Sequence, residues 1–403
     1  MRKTSVQILC LVALLLISAC APATPAQQPT TQATDTAAAP TAAATETVAE
    51  TPTTVVTEES DETPTAGAET PEGTAAPDSG TASAGEGEVV SIRAETAPEL
   101  DGAGQDDAWA NAPETVIETQ GGENESATEV SVKSVYDDEK VYFLLSWQDP
   151  TQSWLRSPWE LQEDNTWKKL SSPQNRGGDE NEFYEDKMAL IWPINDSIPN
   201  FDTQGCFTAC HAGENADVKP YGNKYTDEPG QTGDIWHWKS VRQVAQVDDQ
   251  YLDNTPYSPD TPEAGRKSDP NTGGGYKNND NEDQTTPAFM SPDGGDKTGA
   301  PGSILDTEKV PFDPSLFQPG DRVPGVVIAP FEGDRGDISA GWTYENGTWT
   351  LEFSRNLTTG SEFDVQFDDL SKTFYFGLAT FDNAQVRHAF QTGSTPFVFI
   401  PNQ

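Results

Sequence analysis

The fold is decided by the stretches Glu129-Val130-Ser131-Val132-Lys133-Ser134-Val135-Tyr136 and Val141-Tyr142-Phe143-Leu144-Leu145-Ser146-Trp147, joined by Asp137-Asp138-Glu139-Lys140. In the first stretch apolar and polar residues alternate, which is typical of a strand with one buried face. The second is more uniformly apolar, which indicates a more central strand. Because the linker is rich in turn-forming residues, the pair predicts a β-hairpin.

Similar segments follow along the rest of the chain and predict a mainly β protein. The further strands are expected at residues 88–92, 187–194, 325–331, 342–344, 348–355, 373–381 and 397–400. Glu345-Asn346-Gly347 is a strong signal for a two-residue hairpin turn. The spacing favours an antiparallel β-sandwich with long irregular insertions. One short helix is expected at residues 234–244, with Asp234 as its N-cap.

Two irregular regions separate the predicted core strands. The first covers residues 196–234, and the second covers about 248–319 and is rich in Gly, Asn, Asp and Pro. Structureless connections of this length are uncommon in compact domains unless they are functional or disordered. We expect the first to wrap a cofactor and the second to be a long excursion that covers it.

The N-terminal residues 1–19 are typical of a bacterial lipoprotein signal peptide. Arg2 and Lys3 precede an apolar run, and Leu16-Ile17-Ser18-Ala19-Cys20 resembles a lipobox. The apolar run is shorter than the roughly 20 residues needed to span a bilayer. We therefore expect cleavage before Cys20, lipid on Cys20, and a membrane-anchored protein that faces the periplasm or the cell exterior.

Residues 20–88 consist mostly of Thr, Ala, Pro and Glu and predict a disordered tether, which precedes a globular domain at residues 89–403. The whole sequence has a formal net charge of −42. A field this negative argues against nucleic-acid binding and favours solubility or a partner with a basic face.

The chemistry-bearing motif is Cys206-Phe207-Thr208-Ala209-Cys210-His211. It is the c-type haem attachment pattern with three spacer residues instead of two. In that chemistry the cysteines form thioethers with the porphyrin and the histidine ligates the iron, so the motif predicts one covalent haem c held by Cys206, Cys210 and His211. A Cys206–Cys210 disulfide is an alternative. A zinc site that includes His237 is another, although adjacent Cys210 and His211 would both have to reach one tetrahedral ion.

Several stretches, taken in order, resemble known families. Leu100-Asp101-Gly102 with Asp107-Ala108-Trp109 resembles the opening of carbohydrate-binding-module-9-like and DOMON-like sandwiches. Residues 134–151 resemble the haem-binding gamma subunit of ethylbenzene dehydrogenase and of dimethyl sulfide dehydrogenase. Asp234-Ile235-Trp236-His237-Trp238-Lys239 is similar to that family's Trp-x-Trp-Lys stretch, and residues 347–357 are similar to its later strand.

This resemblance implies a haem at one end of a β-sandwich, ligated by a methionine and a lysine, that passes electrons from a molybdenum enzyme to an acceptor. Lys239 matches the family's lysine, whereas the methionine does not carry over and His211 is expected in its place. Met290 and His237 are the alternatives to Lys239 as sixth ligand. In a helix, His237 and Lys239 would lie about 200° apart, so at most one would face the iron.

The remaining candidates near the motif have two interpretations each. Trp236 and Trp238 either stack along the porphyrin or belong to the core. Met188 is expected in the core, and His388 is expected to be structural with a place near the haem edge as the alternative. The sequence thus predicts an exported, lipid-anchored electron carrier without enzymatic activity. The alternative is a carbohydrate-binding or adhesion lipoprotein on the same fold, without haem.

Overall fold

The computed structural model describes residues 87–173, 179–211, 213–214, 217, 219 and 221–400. The predicted signal peptide, the predicted lipid site Cys20 and nearly all of the predicted tether lie outside these residues. Within the described ranges, no helix has the length and apolar character needed to cross a bilayer.

Among the residues that the structure describes, the first half of the domain has ten strands and two short α-helices. In chain order they are β1 (Val89–Arg93), α1 (Asp107–Ala110), β2 (Thr115–Gln120), β3 (Glu129–Tyr136), β4 (Lys140–Gln148), β5 (Trp159–Leu161), β6 (Trp167–Lys169), β7 (Lys187–Pro193), α2 (Phe201–Gln204), β8 (Gly233–Lys239), β9 (Asp248–Leu252) and β10 (Arg266–Ser268).

The elements of the second half are strands connected by turns and short 3-10 segments. They are β11 (Gly273–Asn278), β12 (Phe289–Met290), β13 (Ser303–Leu305), β14 (Val310–Pro311), β15 (Arg322–Val323), β16 (Val326–Glu332), β17 (Ser339–Glu345), β18 (Thr348–Asn356), β19 (Thr373–Phe381), β20 (Ala389–Gln391) and β21 (Thr395–Ile400).

The strands form two faces of a sandwich. One face has the order β17-β18-β4-β3-β2, and the other has the order β10-β9-β8-β7-β19, which β20 joins to β2. Neighbours within these runs are antiparallel, whereas β1 lies parallel to β3 and β21. The predicted hairpin is confirmed, because β3 and β4 pair in the register Val130↔Trp147 to Tyr136↔Val141. The mainly antiparallel β-sandwich is therefore confirmed.

Aromatic side chains from the two faces meet in the core. Phe143 on β4 contacts Trp192 and Trp236 across the sandwich, with ring centroids 6.2 and 5.7 Å apart. Trp147 packs against Trp238 at 5.6 Å. Met188 on β7 lies in the same core, as predicted. Because edge-to-face aromatic pairs add to the free energy gained from apolar burial, these contacts stabilise the packing of one face on the other.

The predicted turn at residues 345–347 is also confirmed. Glu345 at the end of β17 pairs with Thr348 at the start of β18. The two residues between them, Asn346 and Gly347, have φ values of 53° and 79°. Both values are in the left-handed region that a type I′ hairpin turn requires, which Asn and Gly tolerate best.

The predicted helix at residues 234–244 is wrong, because residues 233–239 form β8 between β7 and β9. Every residue of β8 is buried. A strand that is covered on both faces does not show the apolar/polar alternation that identifies a half-buried strand. The register also corrects the angular argument about the ligands, since His237 and Lys239 are two residues apart and share one face of the sheet.

The two irregular regions cover the outer face of β7, β8 and β19. In the first, Phe201 and Cys206 pack against Ile191 and Ile235. The second region contains regular structure. Its strands β9 and β10 extend the large sheet, and its strands β11 and β13 pair with β16, which follows the region, to form a smaller sheet. The face of the sandwich that is normally exposed to solvent is therefore enclosed.

Candidate functional site

A cavity of about 660 Å³ lies between the outer face of the sheet and the two irregular regions. Its floor is formed by alternate residues of two neighbouring strands, Lys187 and Ala189 on β7 and Ile235, His237 and Lys239 on β8. Side chains at i, i+2 and i+4 project from the same face of a strand, which explains why these five meet. The cavity is large enough for an organic cofactor.

The cavity is strongly basic although the chain as a whole is acidic. Lys187, Lys224, Arg242 and Arg266 line it, and Glu263 is an acidic residue on its wall. Burial and the neighbouring charge of Arg242 lower the pKa of Lys187 well below its ordinary value. Buried cations without enough carboxylates to pair with are costly. The lining is therefore suited to a ligand that brings negative charge.

Lys239 is already engaged by protein groups. It is 2 % exposed and donates to the Asp248 carboxylate. Arg335 also donates to Asp248, from Nε to Oδ1 at 2.5 Å and from Nη2 to Oδ2 at 3.0 Å. Burial lowers the pKa of Lys239, and the charge of Asp248 partly offsets this. To ligate a metal, Lys239 would have to leave this pair and lose its proton.

His237 presents a free nitrogen in the same cavity. Its Nδ1 is 3.4 Å from Gln250 Oε1, and its buried Nε2 has no hydrogen-bond partner. Burial, and then the charges of Lys239 and Lys187, lower the pKa of His237 well below its ordinary value, so the ring is neutral. A neutral imidazole with one nitrogen held and the other free is the form that binds metals.

His388 also lines the cavity. From the sequence we expected a structural role for His388, with a place near the haem edge as the alternative. Its Nδ1 is 3.1 Å from the Val386 carbonyl oxygen, and burial lowers its pKa to about 3. The ring of Phe381 contacts both histidines, with centroids 5.6 Å from His237 and 4.9 Å from His388. No local pattern identifies His388, because more than 140 residues separate it from β8 in the sequence.

The cysteine motif lies beside the cavity. Residues Cys206–Ala209 form a 3-10 turn, and both thiols are free, so the structure contains no Cys206–Cys210 disulfide. Cys206 is 6 % exposed in an apolar cluster, and burial raises the pKa of its thiol. Cys210 pairs with the backbone of Lys224, which lines the cavity. Lys224 therefore connects the motif to the cavity, because its backbone pairs with Cys210 and it belongs to the cavity lining.

His211 does not line the cavity. Its ring stacks on Tyr225 with centroids 3.8 Å apart, and its backbone N–H donates to the Asn223 carbonyl at 2.8 Å. Nε2 lies 3.6 Å from an Asp227 carboxylate oxygen and is buried without a hydrogen-bond partner. The structure thus brings His237 and Lys239 together with His388 in the cavity lining, whereas His211 lies outside that lining with a buried, unpartnered Nε2.

The structure corrects the expectation that Trp236 and Trp238 stack along a porphyrin. On β8 they alternate with His237 and Lys239, so both rings lie in the core and neither lines the cavity. Met290 is also outside the cavity lining and packs with Trp159 in a separate apolar cluster.

The zinc interpretation is not supported by the described residues. Among them, the side-chain groups close enough to share one metal ion consist of aspartates and include none of the motif residues. The set of Cys206, Cys210, His211 and His237 is not assembled around one point.

Comparisons with known proteins identify a family. No curated protein matches the chain. A carbohydrate binding module of family 9 from Caldicellulosiruptor kristjanssonii, solved with cellotriose, is 9% identical, with 78% of this chain and 95% of that chain covered and a TM-score of 0.29. A Bacteroides uniformis protein described as carbohydrate-binding is 6% identical, with 78% and 99% covered and a TM-score of 0.31. The family model described as ethylbenzene dehydrogenase matches residues 106–393, most of the sequence and nearly all of the described domain, and the chain therefore belongs to the ethylbenzene dehydrogenase family.

Proposed function

We propose that this protein is an exported, lipid-anchored electron carrier with one covalent haem c. The observation that carries the proposal is the pair of free thiols, Cys206 and Cys210, next to a basic cavity of cofactor size. The buried Nε2 of His211, which has no hydrogen-bond partner, is the donor that the motif requires for the iron. These residues fit the cofactor, which supplies one-electron chemistry at its iron when bound.

The protein residues would hold and orient the cofactor. Cys206 and Cys210 would form the two thioethers, and His211 would ligate the iron. Lys187 and Lys224, which line the cavity and have no ion-pair partner among the described residues, would hold the carboxylates of the cofactor by charge-assisted hydrogen bonds. The resemblance to the family's haem-binding gamma subunit, stated from the sequence, also supports a haem-binding role.

As a further protein ligand of the iron, His237 would be better suited than Lys239. Both face the cavity, but the His237 Nε2 is neutral and unpartnered, whereas Lys239 is paired with Asp248. Displacing Lys239 would leave Asp248 with only Arg335 as a cationic partner. Using His237 breaks no hydrogen bond of Nε2 in the structure.

The partner of this carrier would be another redox protein with a basic face. The net charge of −42 would steer such a partner toward the surface and speed association at low ionic strength. A lipid on Cys20 would keep both on the same membrane. The protein would carry out no substrate chemistry of its own. An electron carrier needs only ligands for its iron, exclusion of water and a docking surface.

The test is production of the mature protein in a host equipped for cytochrome c assembly. The pyridine haemochrome spectrum and extraction with acidified acetone then report whether haem is present and covalent. Cys206→Ala and Cys210→Ala should each lose at least one thioether. The matched control is Thr208→Ser, which keeps the hydroxyl that donates to the Gly205 carbonyl at 2.9 Å. A colourless wild-type protein, or full attachment in the Cys206→Ala, Cys210→Ala double variant, would overturn the proposal.

The axial assignment has a separate test. His237→Ala should convert the ferric spectrum from low spin to high spin, and Lys239→Leu, whose side chain cannot ligate iron, should leave it low spin. The opposite pattern would reject His237 and assign Lys239. Both variants keep Cys206, Cys210 and His211, so attachment itself should be unchanged.

A further inference from the structure

The face of β8 opposite the cavity contributes Asp234 to a cluster of three buried aspartates. Carboxylate oxygens of Asp234 on β8, Asp249 on β9 and Asp364 all lie within 4.8 Å of one another. The three residues are 0 %, 0 % and 1 % exposed. Asp249 pairs across the strands with Trp236, so it shares the inner face with Asp234. Three carboxylates have thus been removed from water at one point.

The protein satisfies only part of this cluster. Arg355 Nη1 donates to Asp234 Oδ2 at 2.7 Å, and the Val365 N–H donates to the same oxygen at 2.9 Å. Asp234 Oδ1, Asp249 Oδ2 and Asp364 Oδ1 are buried and have no hydrogen-bond partner. Leaving a buried carboxylate oxygen without a partner is among the costliest arrangements in a protein.

A further side chain directed into the cluster points to a missing cation. Asp269 is 3 % exposed, contacts Asp364, and has no hydrogen-bond donor on either carboxylate oxygen. Arg355 is the cation beside this group of acids, which also includes Asp337, and one guanidinium does not balance five carboxylates.

Asp149, Asp186 and Asp382 form a second buried aspartate triad among the described residues. This triad differs from the first because hydrogen bonds from protein groups satisfy its oxygens. Asp186 accepts from the Ser153 N–H at 2.6 Å and from the Asn383 N–H at 3.0 Å. Asp382 accepts from the Glu125 N–H at 3.0 Å. None of the oxygens of this triad is both buried and without a partner. This triad is completed by protein donors, so it does not require a cation and provides a matched control.

We propose that Asp234, Asp249 and Asp364, with Asp269 as a further ligand, bind one hard divalent cation of the Ca²⁺ type. Carboxylate oxygens are the ligands such ions prefer, and two ligands of one Ca²⁺ can lie up to about 5 Å apart. The smaller Mg²⁺ holds its ligands closer, up to about 4.2 Å apart, and keeps several waters. The near-complete burial of Asp234, Asp249 and Asp364 leaves little room for the several waters that Mg²⁺ keeps, and therefore favours calcium.

The ion would join β8 and β9 to the segment around Asp364. Since a ligand that binds only the folded protein raises its stability in proportion to the logarithm of ligand concentration over Kd, bound calcium should raise the melting temperature. The site lies across β8 from the cavity and contains none of the haem-binding residues. The calcium site and the proposed electron transfer can therefore succeed or fail separately.

The experiment uses the full mature protein, dialysed first against a chelator and then against buffered Ca²⁺. Elemental analysis should find one tightly held Ca²⁺ per chain, and the melting temperature should rise with Ca²⁺ much more than with equal Mg²⁺. Asp364→Asn should weaken Ca²⁺ binding at least tenfold in a calorimetric titration, and Asp382→Asn should not. The readout is calcium per chain, so it is independent of haem.

Two results would overturn the inference. The first is a wild-type protein that retains no Ca²⁺ and melts at the same temperature with and without it. The second is loss of Ca²⁺ binding in Asp382→Asn but not in Asp364→Asn. Circular dichroism of each variant separates lost binding from lost folding. If Asp364→Asn does not fold, the wild-type calcium content and Ca²⁺-dependent melting shift still decide the question.

Discussion

Asp248 should be far more important for stability than the lysine it pairs with. The perturbations are Lys239→Met and Asp248→Asn. Lys239→Met removes one donor, but Asp248 keeps two hydrogen bonds from Arg335 and one from Gln250 Nε2 at 3.0 Å. The substitution also removes the cost of burying an ammonium group. A hydrogen bond to a charged group is worth about 1.5–3 kcal/mol, and the removed burial cost offsets part of it, so we expect the free energy of unfolding to fall by about 1–2 kcal/mol.

Asp248→Asn leaves a larger defect. Lys239 and Arg335 lose their shared counter-charge, and other buried cations of the cavity are close by. Removing one partner of a buried ion pair typically costs about 3–5 kcal/mol when the other charge stays uncompensated. The two variants should therefore differ by at least about 1 kcal/mol, with Asp248→Asn the less stable.

Urea unfolding at pH 7, followed by tryptophan fluorescence at equal cofactor content, measures both free energies. Lys372→Met, an exposed lysine, is the control and should change stability by less than about 0.5 kcal/mol. The reasoning is refuted if Lys239→Met costs as much as Asp248→Asn.

The same pair predicts a pH dependence. Burial alone would raise the pKa of Asp248, but the charges of Lys239 and Arg335 outweigh it and hold the pKa below its ordinary value. The stabilisation is therefore present above about pH 4, the unfolded pKa, and is lost as the pH falls through the lower folded pKa. Asp248→Asn should remove this part of the acid limb of the stability curve, and an unchanged acid limb would contradict the assignment.

Three further substitutions test the fold around the site. Gly205→Ala should lower the melting temperature and reduce haem attachment, because Gly205 has a φ of 57° and a Cβ there would lie 1.9 Å from the Gly393 carbonyl oxygen; normal melting would contradict the close approach. Phe143→Ala should cost about 3–5 kcal/mol in urea unfolding, since its ring contacts Trp236 across a dry core, and a loss below about 1 kcal/mol would reject that packing. Lys187→Met should raise the melting temperature of haem-free protein by removing a buried ammonium with a depressed pKa, and a lower melting temperature would show that its bond to the Gln385 carbonyl at 2.8 Å is worth more.

The sequence by itself determined the parts of the fold whose signals are local. The period-two alternation of residues 129–136 identified a half-buried strand, and Asn346-Gly347 specified a turn, because these properties depend on neighbouring residues only. The order of the family-like stretches likewise placed the chain in its family. The residue types and spacing of the cysteine motif led to the haem proposal without a structure.

Tertiary structure alone decided which side chains meet. Both faces of β8 mix polar and apolar side chains, with Asp234 beside Trp236 on the inner face and Ile235 beside His237 on the outer face. The sequence pattern of residues 234–239 therefore did not distinguish a helix from a strand. Once β8 pairs with β7 and β9, His237 and Lys239 enter the cavity, Trp236 enters the core, and Asp234 joins the acidic cluster. Long-range strand pairing brings Asp364 and His388 to these sites from more than 100 residues away, and no local pattern carries that information.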